Sequence, residues 1–313
     1  MLQLRNHNSG LKYITFPFYK DGKPLEGYSR VENCHQGGGG NGPGGGSGLV
    51  GGEINLVGDG LVGGDRALPL CGMTVRSAGS MRFRWAEKNP NRDQILSQIS
   101  GDFGGKTFIP IQLNHTHIVY DISNQKDTDQ KIGDGLITRN KNLIPTVTVA
   151  DCLPIYLYEP ETGVFGIVHS GWKGTGIACD AITLAGQKYG CQIQDFLVVI
   201  GPHIHDCCYI VNEERAEYFA ENFSEDCVRE VEVDFLPDWN YGDKSGGKLY
   251  RLSLAKANFA ALTRLGVRAE NIFISEDCTS CSKNGFYGSN RRETKEAGWP
   301  DAFTVQAAFI GFK

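Results

Sequence analysis

The sequence predicts an α+β fold in which mixed β-sheets are flanked by helices, and three observations carry that reading. Short apolar runs with strand-like alternation are interleaved with stretches of helical period. At least one pair of strands is joined by a short turn, Glu159-Pro160-Glu161-Thr162-Gly163, so the sheet cannot be purely parallel. Nothing recurs at a fixed spacing, which excludes a repeat architecture. At 313 residues the chain is long enough for one large domain or two ordinary ones, with a substantial core.

Taken in order, residues 11–27 read as a strand, a turn at Lys20-Asp21-Gly22-Lys23-Pro24, and the start of another strand. From Gln36 to Asp65 glycine dominates. Such a tract loses much backbone entropy on ordering and has few large side chains, so it is expected to be an inserted surface excursion outside the main core. It contains no GxxxxGK[ST] phosphate loop. Asn89-Pro90-Asn91-Arg92 leads into a helix from Asp93 to Ile99, with Ile95, Leu96 and Ile99 on one face. Phe108 to Leu113 reads as a strand that Pro110 confines to an edge or a start.

The centre of the chain is Thr146 to Gly174. Val147 and Val149 precede a break at Asp151-Cys152, the apolar run resumes through Leu157, and a return strand from Val164 to Val168 stops at His169. A helix follows to Tyr189, capped by Thr175 and stopped at Gly190. Phe196 to Ile200 is a buried strand, Asn212 to Phe223 a helix, residues 234–248 a loop, Leu252 to Leu265 a helix, and Ile272 to Ile274 a short strand. A cysteine at a strand break and a histidine at a strand end offer three readings: a metal site, a nucleophile–base pair, or a core thiol beside a hydrogen-bonded imidazole.

Composition narrows the function. The net charge of −5 with no basic block argues against nucleic acid as the main partner. No apolar run approaches membrane-spanning length, and the N-terminus has no signal-like apolar region. Ten cysteines spread over this length suit reduced thiols, so the expected compartment is the cytoplasm.

Ala150-Asp151-Cys152-Leu153-Pro154 followed by His169-Ser170-Gly171-Trp172-Lys173-Gly174 resembles the ADCLP…HAGWRG core of the YfiH-type family, labelled polyphenol oxidase or laccase domain. Members of that family resemble zinc-dependent purine nucleoside phosphorylases. Further motifs extend the resemblance over residues 73–312. Met73 to Ser80 is similar to the early TR-x-GG-x-S segment, although Met81-Arg82-Phe83-Arg84-Trp85 replaces the stretch that usually follows. Gly201 to Tyr209 resembles GPxIGPCCYEV, and Phe286 to Arg292 resembles FFSYRR with one residue inserted. The resemblance implies a single domain over residues 1–313, interrupted by the glycine-rich insertion at about 36–65.

It also implies a ligand set. The family's QVHGxxV places its histidine four residues before a valine, which here selects His115 before Val119, with His117 as the fallback. A register centred on Asn114 would leave a poor zinc ligand. His115, Cys152 and His169 then form a three-ligand set with an open fourth position, the pattern of catalytic zinc. Copper is the rival metal, because two histidines and a cysteine also suit a blue-copper site. A laccase cluster, however, needs several His-x-His pairs, and this chain has two among seven histidines. His203, His205 and Cys207 offer a weaker second cluster, and Cys278 to Cys281 is a CxxC without a partner pair, expected to be structural thiols.

The resulting expectation is a zinc enzyme that takes a purine nucleoside (adenosine, inosine or guanosine) and phosphate and releases the base and ribose 1-phosphate; the resemblance also implies adenosine deaminase activity as a second reaction. Arg76 would hold phosphate, Asp151 would act as general acid or base, and Trp172, Lys173 and Arg291 would contact substrate. The alternatives are a cytosolic hydrolase that edits peptidoglycan precursors, a copper-dependent polyphenol oxidase, and a non-catalytic zinc-stabilised binding protein.

Overall fold

Two six-stranded mixed sheets pack face to face, and helices cover their outer faces. The computed structural model describes residues 3–6, 12–25, 67–231, 248–299 and 302–313. The glycine-rich tract at 36–65 and most of the 234–248 loop lie outside the described residues.

The first sheet runs, in spatial order, Gln3–Asn6, Lys12–Phe16, Leu70–Thr74, Gln306–Gly311, Leu143–Val149 and Thr107–Pro110. The second runs Ile272–Ile274, Leu197–Ile200, Leu153–Glu159, Val164–Ser170, Gly135–Thr138 and Val119–Asp121. Parallel pairs stand beside antiparallel ones in both sheets, as the sequence predicts. Thr107–Pro110 occupies an edge, where the missing proline N–H is tolerated.

Side-chain alternation explains the layers. In Leu153–Glu159, Tyr156 and Tyr158 enter the core between the sheets, whereas Ile155 and Leu157 enter the core under the helices. In Leu143–Val149, Val147 and Val149 face the other sheet and Ile144 faces outward onto a helix. With both faces covered, these strands read as almost continuous apolar runs.

Among the described residues there are five α-helices: α1 (Pro90–Asp102), α2 (Ile177–Tyr189), α3 (Glu213–Asn222), α4 (Leu254–Leu265) and α5 (Asn290–Ala297). Helix α1 packs on the first sheet through Ile95, Leu96 and Ile99, while α2 and α4 pack on the second. Asn89 caps α1 by accepting from the Arg92 N–H at 3.0 Å with Pro90 at the first position, so the helix starts earlier than its apolar face suggests. Thr175 does not cap α2. Gly176 takes the N-cap position at φ +98°, and the Thr175 hydroxyl donates back to the Gly171 carbonyl at 3.1 Å.

The central stretch also departs from its local reading. What looks like one strand broken at Asp151-Cys152 is two strands in different sheets, and the break is the crossover between them. Cys152 therefore sits where the chain leaves one layer for the other.

Candidate metal and substrate site

The loop that carries His115 and the strand end that carries His169 meet at this crossover. His169 lies on Val164–Ser170, on the face shared with Phe165 and Ile167, and is 2% exposed. Asp151 adopts φ +82° and His115 φ +58°, both in the left-handed region, which asparagine, aspartate and histidine enter more readily than bulkier residues. The bend at Asp151 turns the chain towards the second sheet, and Ile204 fastens it by donating its N–H to the Asp151 carbonyl at 2.9 Å.

Asp134 shapes the His115 loop. Its fully buried carboxylate accepts the N–H groups of Asn114 (3.2 Å), His115 (2.7 Å) and Thr116 (2.8 Å), together with the Thr116 hydroxyl (3.2 Å). Burial opposes the charge, but these donors and His169 hold its pKa below the usual carboxylate range. His169 Nδ1 lies 3.6 Å from Asp134 Oδ1, has no hydrogen-bond partner, and is buried. Burial alone would lower the His169 pKa, yet the adjacent Cys152 sulfur and Asp134 carboxylate raise it to about 9. The surroundings of this imidazole are built for positive charge.

The His115 and His169 rings stand 5.2 Å apart, edge to face. Burial and the neighbouring His169 lower the His115 pKa, which favours the neutral, ligating form. Cys152 stands near enough for its sulfur to raise the His169 pKa and lines the same cavity. A Cβ built on Gly171 would lie 3.1 Å from Cys152 Sγ and 3.6 Å from His169 Cε1, so the glycine of the His169-Ser170-Gly171 turn leaves room for the sulfur beside the ring.

The ligating atoms of His115, Asp134 and His169 lie within 4.8 Å of one another. Asp134 is nevertheless a poor metal ligand here, because four donors already occupy its two oxygens. It places its charge 3.6 Å from His169 Nδ1, in the position that carboxylates take behind metal-bound histidines. The Cys152 thiol lines the same cavity but is not among the ligand atoms that lie within 4.8 Å of one another, so by distance the group that could hold a metal ion here is His115, Asp134 and His169. His117, the fallback, is tied to Asp180 on α2 at 2.6 Å and takes no part.

The cavity above these groups measures about 500 Å³. Asp151, Trp172 and Arg291 line it, as do Arg82, Arg84 and Phe303. Asp151 is 7% exposed. Its oxygens accept from the Thr279 hydroxyl at 2.6 Å and from the Arg291 N–H in the first turn of α5 at 2.7 Å, while burial raises its pKa. Trp172 is stacked by the Arg215 guanidinium at 4.2 Å, and the Lys173 ammonium lies 5.3 Å from the same ring.

Arg76 is elsewhere. Its Nε pairs with the buried Glu293 carboxylate at 2.6 Å, and it does not line the cavity. Lys173 is likewise absent from the lining, although its charge reaches His115. The cations that do line the cavity include Arg82 and Arg84, in the stretch where the sequence departs from the family pattern. Asp134 was also missed. Its one signal is a charged residue between two glycines at the head of the apolar strand Gly135–Thr138.

The second His-x-His pair does not join this site. His203 is buried with Nδ1 2.8 Å from the Gly201 carbonyl, and burial lowers its pKa to about 3. The weaker second cluster of His203, His205 and Cys207 is not formed among the described residues, and Cys207 instead lies with Cys208, Cys278 and Cys281.

Residues 87–305 match the family described as multi-copper polyphenol oxidoreductase laccase. The chain is 34% identical over 172 residues to "Purine nucleoside phosphorylase YlmD" of Geobacillus stearothermophilus, covering 54% of this chain and 58% of that protein. It is 30% identical over 162 residues to "Adenosine deaminase RL5" of an unknown prokaryotic organism, covering 50% and 56% respectively. It thus spans less than two thirds of the length of either relative. The crystal structure of the Bacillus licheniformis hypothetical protein YfiH superimposes with a TM-score of 0.64 at 24% identity, covering 78% of this chain and 93% of that one, a likeness of fold.

Proposed function

The chain belongs to this laccase-domain family, and from that premise we propose that it is a zinc-dependent purine nucleoside phosphorylase that cleaves adenosine, inosine or guanosine with phosphate. The observation that supports the reading is that His115, Cys152 and His169 line one cavity together with arginines. Copper chemistry of the laccase type lacks support: among the described residues the remaining histidines are engaged with Asp180 or lie beside Gly201 and the cysteine cluster.

Zinc held by His115, Cys152 and His169 would supply Lewis-acid polarisation of a substrate oxygen. The remaining work falls to the chain's own side chains. Arg291, Arg84 and Arg82 hold the phosphate in place of the expected Arg76, and their planar guanidinium groups match its oxygens. A phosphate oxygen bonds to the ribose C1′ as the bond from C1′ to the purine nitrogen breaks, and the base leaves with that electron pair and takes up a proton. Asp151, raised in pKa by burial and held by Thr279 and Arg291, is the group placed to exchange that proton. Trp172 offers an aromatic wall for the purine.

The test is to incubate the full chain with adenosine and vary phosphate. The expected products are adenine and ribose 1-phosphate, in amounts that rise with phosphate. Inosine formation without phosphate would instead assign deamination, the activity in one relative's name. If a zinc-loaded chain left adenosine, inosine and guanosine intact, the proposal would fail; turnover of a muropeptide would then favour the hydrolase and oxygen uptake with a phenol the oxidase.

A further inference from the structure

The fold supplies the partner pair that Cys278-Thr279-Ser280-Cys281 lacks in sequence. A parallel bridge joins His203 to Cys278, and the Thr279 N–H donates to the His203 carbonyl at 2.9 Å, so the 203–209 segment lies along the 277–281 segment. Adjacent residues in a strand point to opposite sides. Cys207 and Cys208 instead lie in a turn, closed where the Cys208 and Tyr209 N–H groups both donate to the His205 carbonyl at 2.9 Å, and both thiols meet the CxxC pair. All four sulfurs lie within 4.8 Å of one another, and Cys207 Sγ is 3.7 Å from those of both Cys208 and Cys281.

We propose that Cys207, Cys208, Cys278 and Cys281 bind one structural zinc ion, separate from the cavity, and that this ion fixes the loop from which Thr279 holds Asp151. The spacing supports a metal. Sulfurs at the corners of a tetrahedron with Zn–S bonds of about 2.3 Å stand about 3.8 Å apart, whereas a disulfide would bring two of them to about 2.05 Å. The donor set supports zinc, since four soft thiolates close the coordination sphere and leave no open position.

The surroundings support the charge. Four thiolates around a dication leave a net charge of about −2, and guanidinium groups are anchored to both loops. Arg251 donates to the carbonyls of Asp206 (3.2 Å) and Cys207 (2.9 Å), and Arg292 to those of Thr279 (2.8 Å) and Ser280 (3.1 Å). The His205 N–H points at Cys278 Sγ at 3.4 Å, the kind of outer hydrogen bond that tunes a metal thiolate. Thr279, between two of the ligands, donates to Asp151 at 2.6 Å, so the ion steadies the cavity floor without touching substrate.

The experiment uses the full chain, purified under reducing, zinc-replete conditions as the His115→Ala/Cys152→Ala variant, which removes the cavity site. This variant is expected to retain about one zinc per chain with a sulfur-only first shell by X-ray absorption at the zinc edge. Adding Cys207→Ser and Cys281→Ser, the two exposed cysteines, should abolish that component. The proposal is overturned if the cavity-site variant holds no zinc, if its zinc has nitrogen ligands, or if Cys207 and Cys281 are disulfide-linked in the reduced preparation. Should the serine variants fail to fold, the ligand shell of the first variant decides alone. Because the cavity site is absent throughout, failure of the cavity assignment does not affect the outcome.

Discussion

At the cavity site, His115 comes from a loop, Cys152 from the crossover between the sheets and His169 from a strand end, and all three line about 500 Å³ of open space. At the cysteine cluster, four thiols come from two adjoining loops and face one another. Holding zinc as proposed, the first arrangement would leave a coordination position open beside arginines, and the second would fill every position with sulfur. Openness, rather than the presence of donors, separates a site that can do chemistry from one that holds loops together. Asp151 joins the two, since its carboxylate accepts from Thr279 of the closed cluster while lining the open cavity.

The largest effect is expected at Cys152. As a ligand, its sulfur is held by the metal, so Cys152→Ala should remove zinc from the cavity site and lower kcat/KM for adenosine phosphorolysis by at least about 10³-fold, with circular dichroism unchanged. A cavity that kept its zinc but lost activity would make Cys152 a nucleophile instead. An alanine variant that retained activity would remove the site from consideration altogether.

Next comes Asp134, which has no counterpart in the closed cluster. Asp134→Asn replaces an acceptor of three N–H groups by an amide with one oxygen, which loosens the His115 loop and the His169 ring together. Outer carboxylates of this kind typically set metal affinity by about 10–100-fold. Competition with a zinc-binding dye should show a loss of that size at the cavity site and none at the cysteine cluster. Equal losses at both would mean that the substitution acts through global unfolding.

How far the sequence reveals these sites depends on how local their signals are. Cys152 and His169 are legible because apolar runs stop at them, and the stop is the physical event: a left-handed residue at 151 and the end of a strand at 170. The edge position of Pro110 and the stop at Gly190, which adopts φ +73°, are legible for the same reason. Sheet membership is not, since alternation within Leu143–Glu159 is blind to the partner strands that divide it between two layers. Asp134 escapes notice because an acid between glycines resembles a surface turn, and only the folded loop 114–116 brings it four donors. The cysteine cluster is invisible for want of proximity: Cys207 and Cys281 are far apart in sequence and 3.7 Å apart in space.

Smaller effects separate Arg291 from Arg76, two cations with similar sequence credentials. Arg291 lines the cavity, and its loss should raise the KM for phosphate about tenfold, the worth of one charge-assisted hydrogen bond, with little change in melting temperature. Arg76 should do the opposite. Its partner Glu293 is 5% exposed and also accepts the Thr304 N–H, so Arg76→Ala leaves a buried carboxylate with fewer donors. Because Arg76 itself is 44% exposed, water repairs much of the loss, and the cost should be about 1 kcal/mol. Thermal melting beside phosphate titration of the two variants reads the difference directly. A raised phosphate KM in Arg76→Ala at unchanged stability would return Arg76 to the substrate site, against the geometry of its pairing with Glu293.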